Sequence, residues 1–171
     1  MIRTLVDLTV EDPGWEPALP DLETVCGTGA VLALDAVNLA AKEYSISILA
    51  CSDVRIKGLN TEFREKAAST NVLSWPAYEL TPAAPGEMPP TPPNPSFDGP
   101  NPLGDVAIAL QTCVQEAETA GIPLKNHVTH LILHGCLHLL GFDHQTDADA
   151  ARMEGIEARA LNRIGIPDPY A

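Results

Sequence analysis

"HLILHGCLHLLGFDH", residues 130–144, places four of the chain's five histidines within fifteen positions, and most of what lies between them is suited to a core. A helix turns about 100° per residue, so positions four apart share a face, one turn along. His134 and His138 therefore point the same way, at a spacing that suits two imidazoles on one metal ion. Gly141 lets the chain leave the helix and turn back, and His144 follows three residues later, giving H-x-x-x-H-x-x-G-x-x-H. Three nitrogen ligands with one position left open is the arrangement of catalytic rather than structural zinc. An all-imidazole set, with no evident carboxylate or thiolate, favours zinc over iron or copper.

The neighbours of this trio have blander readings. Cys136 sits about 200° round the helix from His134 and is expected to fill the core. His130, one turn before His134, is open to three readings: a partner that orients a ligand, a fourth ligand, or a buried histidine with its own hydrogen bond. His127 lies off that face and is expected to be structural or exposed. Asp143, directly before His144, is either a turn-capping carboxylate or a group that orients a histidine, with a general base as the weaker third reading. Against the trio stands the reading of satisfied core histidines, but three at ligand spacing with a glycine at the turn weigh for a metal. The same spacing occurs in metzincin peptidases, where a glutamate beside the first histidine is the general base. Here that position is Gly135, so peptide hydrolysis by that route lacks its base.

Outward from this segment, helix and strand patterns alternate along the chain. "IRTLVDLTV" reads as a first strand, Ile2 to Val10, and Asp21 is available to cap a helix with Val25, Leu32, Ala36 and Leu39 on one side. "YSISILACS" is a strand rich in β-branched residues, after which Ser52 or Asp53 can cap a helix to about Arg64. "STNVLSWP" is the next strand. Residues 76–102 hold ten of the sixteen prolines and read as a long exposed loop inserted in one domain, its ends close together. Order resumes with a strand over Asp105 to Leu110, a helix to about Ala120, and a helix from about Leu124 to Leu140. Thr146 and Asp149 form a capping box for a last helix with Met153, Ile156, Ala160, Leu161 and Ile164 as its stripe. The pattern predicts one α+β domain over 1–171, with a roughly four-stranded mixed sheet packed by about five helices.

A chain of 171 residues is long enough to bury a proper core. No apolar run approaches the ~18–20 residues of a membrane span. The acids in the first residues leave no room for a signal peptide, and the four scattered cysteines suit reduced thiols, so a cytoplasmic protein is expected. The formal charge of −13 speaks against binding nucleic acid through the whole surface. Arg55, Lys57, Arg64 and Lys66 nevertheless gather four of the ten basic residues in one stretch, as a solvated helix face or as a local anion-binding patch.

Three blocks resemble the YbeY family of bacterial endoribonucleases and ribosomal-RNA maturation factors. "HGCLHLLGFDH", residues 134–144, matches the family pattern H-G-x-L-H-L-x-G-Y/F-D-H. "LNTEFREKAASTNVLSWP", residues 59–76, and "LGDVAI", residues 103–108, are similar to the family's blocks in the same order. Trp75 stands where the family usually has phenylalanine, and the proline-rich segment is longer than the family typically needs. The resemblance implies one zinc ion on His134, His138 and His144, with Arg64 on the family's functional arginine. It also implies cleavage of single-stranded RNA, maturation of the 3′ end of small-subunit ribosomal RNA, ribosome quality control, and the small ribosomal subunit or its associated factors as partners, with no membrane involved.

The residues make chemical sense of that implication. Phosphodiester cleavage needs a nucleophile, relief of the phosphate's charge and protonation of the leaving oxygen. A three-histidine zinc lowers the pKa of water toward ~7 and polarises a phosphoryl oxygen. An arginine such as Arg64 holds non-bridging oxygens by a bidentate fork. Ser74 and Thr70 are able to hydrogen-bond phosphate, though a strand edge explains them equally. The rivals are a non-catalytic, metal-containing ribosome-assembly factor and, behind it, a metallopeptidase.

Overall fold

The computed structural model describes residues 5–64, 70–94 and 99–171, with the side chain of Arg64 outside that description. Four strands make one sheet: β1 (Val6–Val10), β2 (Tyr44–Cys51), β3 (Val72–Pro76) and β4 (Asn101–Ala109). Their order is β1-β2-β4-β3, with β1, β2 and β4 parallel and β3 antiparallel at the edge. Among the described residues six α-helices accompany them: α1 (Trp15–Ala18), α2 (Leu22–Ala36), α3 (Asp53–Arg64), α4 (Leu110–Ala120), α5 (Leu124–Leu139) and α6 (Asp147–Asn162). The class is the mixed α+β fold that the sequence pattern implies.

Strand periodicity divides the core. Side chains alternate across a sheet, so Ile46, Ile48, Val106 and Ile108 face the main core with α2 and α5. Cys51, Ala107 and Ala109 face the other side, where Ile56 and Leu59 of α3 cover them. α5 lies fully buried along one side, with Val128, Ile132, Leu133, Cys136, Leu137 and Leu139 all at 0% exposure. That burial fixes the helix that carries the histidines.

Local chemistry moves several boundaries. α2 stops at Ala36, short of Leu39, because Asn38 takes a left-handed φ of 57°. Its N–H bonds to Asp35 O and that of Leu39 to Leu34 O, a Schellman closure made by asparagine. Asp21 precedes the helix but makes no capping hydrogen bond; its carboxylate pairs with Lys125 Nζ at 3.0 Å. Ser52 accepts from Arg55 N at 3.1 Å and caps α3. Thr146 accepts from Asp149 N at 3.1 Å and caps α6, while its hydroxyl donates to Asp149 Oδ2 at 2.8 Å, in place of the backbone N–H of a full capping box. Ile164 lies past the end of α6 and is 44% exposed. β4 begins at Asn101, four residues before the apolar run suggests, because Tyr44 and Ser45 of β2 pair with Asn101 and Pro102.

Antiparallel pairing of β3 with β4 sets Pro76 opposite Gly104, and Ala77 N donates to Leu103 O just beyond. The proline-rich chain between them is less exposed than its composition suggests. Leu80 is buried, Gly86 N donates to Asp149 Oδ1, and Arg152 Nε donates to Gly86 O. Residues 77–90 therefore form a strap tied to α6. Among the described residues no helix is long and apolar enough to cross a membrane.

Candidate metal centre

The C-terminal end of α5 builds the site. Leu140 caps the helix, Gly141 N donates to His138 O, and Phe142 N donates to Leu137 O: a Schellman motif. Gly141 has φ +97°, and a Cβ there would lie 2.1 Å from Leu80 O in the strap. Only glycine both turns left-handed and admits the strap so closely. The turn then closes back on the site, since Phe142 O accepts from His138 Nδ1 at 2.9 Å.

His134, His138 and His144 converge at the mouth of a cleft of 820 Å³. One ligand atom from each lies within 4.8 Å of the others. The His134 and His138 rings are 4.6 Å apart and nearly perpendicular, and the His144 ring stacks on that of His134 at 5.6 Å. His144 is exposed and faces solvent.

Proton placement decides what these rings can do. His134 Nδ1 lies 2.5 Å from Glu157 Oε1, and His138 Nδ1 faces a carbonyl, so both Nδ1 atoms must donate. Nε2 of each ring then turns to the cleft, and those two Nε2 atoms are 3.0 Å apart. A proton or a metal ion between them satisfies both nitrogens. Two nitrogens on a tetrahedral zinc stand about 3.3 Å apart, so the donor set fits such an ion. Burial, with the neighbouring His134 charge, pushes the His138 imidazole down to about 4 and keeps it neutral, as a ligand must be.

Glu157 is the functional candidate that sequence reasoning missed. It is fully buried on α6. Oε1 accepts from His134, while Oε2 accepts from His130 Nε2 at 3.1 Å and from the Tyr170 hydroxyl. Burial pushes its carboxyl up, but the His130 and His134 hydrogen bonds, the His134 charge and Tyr170 outweigh it and hold it down at about 2. A signal existed: position 157 falls within the stripe of Met153, Ile156 and Ala160, an odd address for an acid. His130, His134 and Glu157 are also close enough to hold an ion. The 2.5 Å contact of His134 Nδ1 with Glu157 Oε1 is a hydrogen bond, well short of the spacing of two ligands on one zinc.

The other sequence candidates fall out as follows. His127 turns away and bonds Glu116 Oε2 at 2.7 Å. Cys136 is core, its thiol pushed well up by burial. Asp143 accepts from His144 N at 2.8 Å and shapes the turn. Ser74 donates to Gly135 O, tying β3 to α5. A Cβ on Gly135 would meet Val106, Ser74 and Val72 at 3.0–3.3 Å, so this position faces the sheet and has no space for a catalytic glutamate. Arg64 is the last residue of α3, and its side chain lies outside the described residues. Thr70 lines the cleft just beyond the segment that follows it. Among the described lining residues there is no lysine or arginine, while Glu79 and Asp143 are acidic.

Fold and cluster together define an α+β protein with a metal-compatible cleft of three histidines. The chain belongs to the YbeY family: the family model described as Endoribonuclease YbeY matches residues 23–165. The endoribonuclease YbeY of Ruegeria pomeroyi is 52% identical over 96% of this chain and 97% of its own length. That of Dinoroseobacter shibae is 49% identical over 98% and 91%. The solution structure of TM1509 from Thermotoga maritima superposes with a TM-score of 0.57 at 17% identity, covering 93% of this chain and 88% of that one, a likeness of fold.

Proposed function

We propose that this protein is a cytoplasmic, single-strand-specific endoribonuclease that holds one zinc ion on His134, His138 and His144. Its substrate in this reading is ribosomal RNA, in 3′-end maturation of the small subunit and in ribosome quality control, with that subunit or its associated factors as partners. The observation that carries the reading is the pair of Nε2 atoms facing each other 3.0 Å apart beside a third, exposed imidazole. Family membership supplies the reaction class.

Bound there, zinc supplies Lewis acidity toward a phosphoryl oxygen and acidifies water. The chain supplies the rest. Glu157 and the Phe142 carbonyl hold the two helical imidazoles in the tautomer that turns Nε2 to the cleft. Exposed His144 leaves the solvent side open to a phosphate. Arg64 grips the non-bridging oxygens, offsetting a cleft whose described side chains offer no other cation. Residues 78–81 of the strap and residues 70–74 line the cleft, where the proposed substrate is one extended strand.

Zinc-loaded protein free of contaminating nuclease is expected to cut single-stranded RNA and spare a duplex. His134→Ala should lower the rate by at least ~1000-fold, about 4 kcal/mol of transition-state stabilisation. A cyclic phosphate on the product would assign the attack to the RNA's own 2′-hydroxyl, and a simple phosphate to water. Equal cleavage by His134→Ala would defeat the catalytic reading and leave a non-catalytic assembly factor. Gly135, pressed against the sheet, opposes the peptidase reading, which predicts chelator-sensitive peptide cleavage instead.

A further inference from the structure

We propose that Glu157 is a positioning residue for the metal centre and that Tyr170, from the C-terminal tail, latches it, so that the tail sets how tightly the centre holds its ion. This rests on the three-histidine reading above and goes beyond it, because neither residue touches the ion.

A carboxylate taken wholly out of water is strongly unfavourable unless its lone pairs are met. Glu157 meets that requirement with three donors from two parts of the chain: His134 and His130 on successive turns of α5, and Tyr170 far along the sequence. The division between its oxygens matters. Oε1 serves the ligand His134 alone, whereas Oε2 takes both His130 and Tyr170. Two donors on Oε2 fix the carboxylate's rotation, and with that fixed, Oε1 fixes the plane of the His134 ring and keeps its proton on Nδ1. An imidazole whose far nitrogen donates to a carboxylate is also a more basic ligand.

The tail is built to deliver one hydroxyl. Tyr170 N donates to Asp168 Oδ1 at 2.8 Å, a local turn that aims the side chain inward. Its ring packs edge-on against His130 at 5.7 Å, so a residue that is 45% exposed still seats its oxygen on a fully buried group. Burial and the Glu157 carboxylate push the Tyr170 hydroxyl up, so it keeps the proton it donates. Among the described residues Tyr170 is not part of the hydrophobic core cluster.

The test is an equilibrium zinc titration against a chromogenic chelator, with the visible spectrum of the cobalt(II) form, on full-length wild type, Glu157→Gln, Tyr170→Phe and His138→Ala. Glu157→Gln should weaken zinc binding by about 10- to 100-fold. Tyr170→Phe, which deletes one oxygen and keeps the ring, should weaken it by a smaller factor, about 3- to 10-fold, and both should shift the cobalt bands while circular dichroism stays that of wild type. Wild-type affinity and spectrum in folded Tyr170→Phe overturn the latch, whatever Glu157→Gln does. A second zinc per chain that disappears in Glu157→Gln makes Glu157 a ligand and overturns its positioning role. If His138→Ala binds zinc as wild type does, the three-histidine reading fails, a result separate from either of these.

Discussion

Two histidines on the same helix, seven residues apart, touch carboxylates and have opposite fates. His127 offers Nε2, the nitrogen farther from its backbone, to Glu116 at 2.7 Å. Glu116 is 38% exposed in its side chain and also accepts from Asn71 Nδ2. His134 offers the nearer nitrogen, Nδ1, to Glu157, which is buried completely. In His127 the reaching nitrogen is occupied. In His134 it turns to the cleft, 3.0 Å from His138 Nε2 and beside His144. The nitrogen a carboxylate occupies, more than the presence of that carboxylate, decides whether a histidine has a nitrogen to offer a metal.

Substitutions sharpen the contrast from the site outward. His138→Ala removes one of the two opposed Nε2 atoms, and RNA cleavage is expected to fall by at least ~1000-fold with loss of bound zinc. Arg64→Ala should separate charge from metal: kcat drops by about 100-fold, as for loss of one transition-state donor, while zinc content per chain is unchanged. Both readouts need the nuclease assay beside metal analysis. Gly135→Glu tests the sheet-facing side of the same helix. Overpacking against Val106 and Val72 with a carboxylate that has no partner there should lower unfolding free energy by about 3 kcal/mol or more in urea. A stable Gly135→Glu protein with peptidase activity would reverse the assignment of that face. His127→Ala is the smallest change, a stability loss below ~1 kcal/mol with cleavage kept, because its carboxylate partner is partly solvated.

Legibility in the sequence followed the same division. The histidine spacing, the glycine turn and the N-cap are local and periodic, and each is visible in the fold: His134 and His138 on one face, Gly141 at φ +97°, Thr146 on Asp149 N. The four-stranded mixed sheet was legible from β-branched runs and turn signals. Glu157 was not, because the stripe of α6 was read by its apolar members, and only the tertiary approach of α5 gives a buried acid its partners. The strap escaped for a different reason. Ten prolines carry no period, so nothing in 76–102 announces that Leu80 is buried or that Gly86 bonds α6. α1 is only four residues long, anchored by Trp15, whose indole N–H donates to Cys51 O across the fold. No local pattern foretells such a contact.

The most direct test of the account is the zinc stoichiometry and affinity of three proteins side by side: wild type, His127→Ala and His138→Ala. The account predicts one zinc per chain, held equally by wild type and His127→Ala, and binding weakened by at least ~100-fold in His138→Ala. Retention of zinc by His138→Ala, or its loss from His127→Ala, would contradict it.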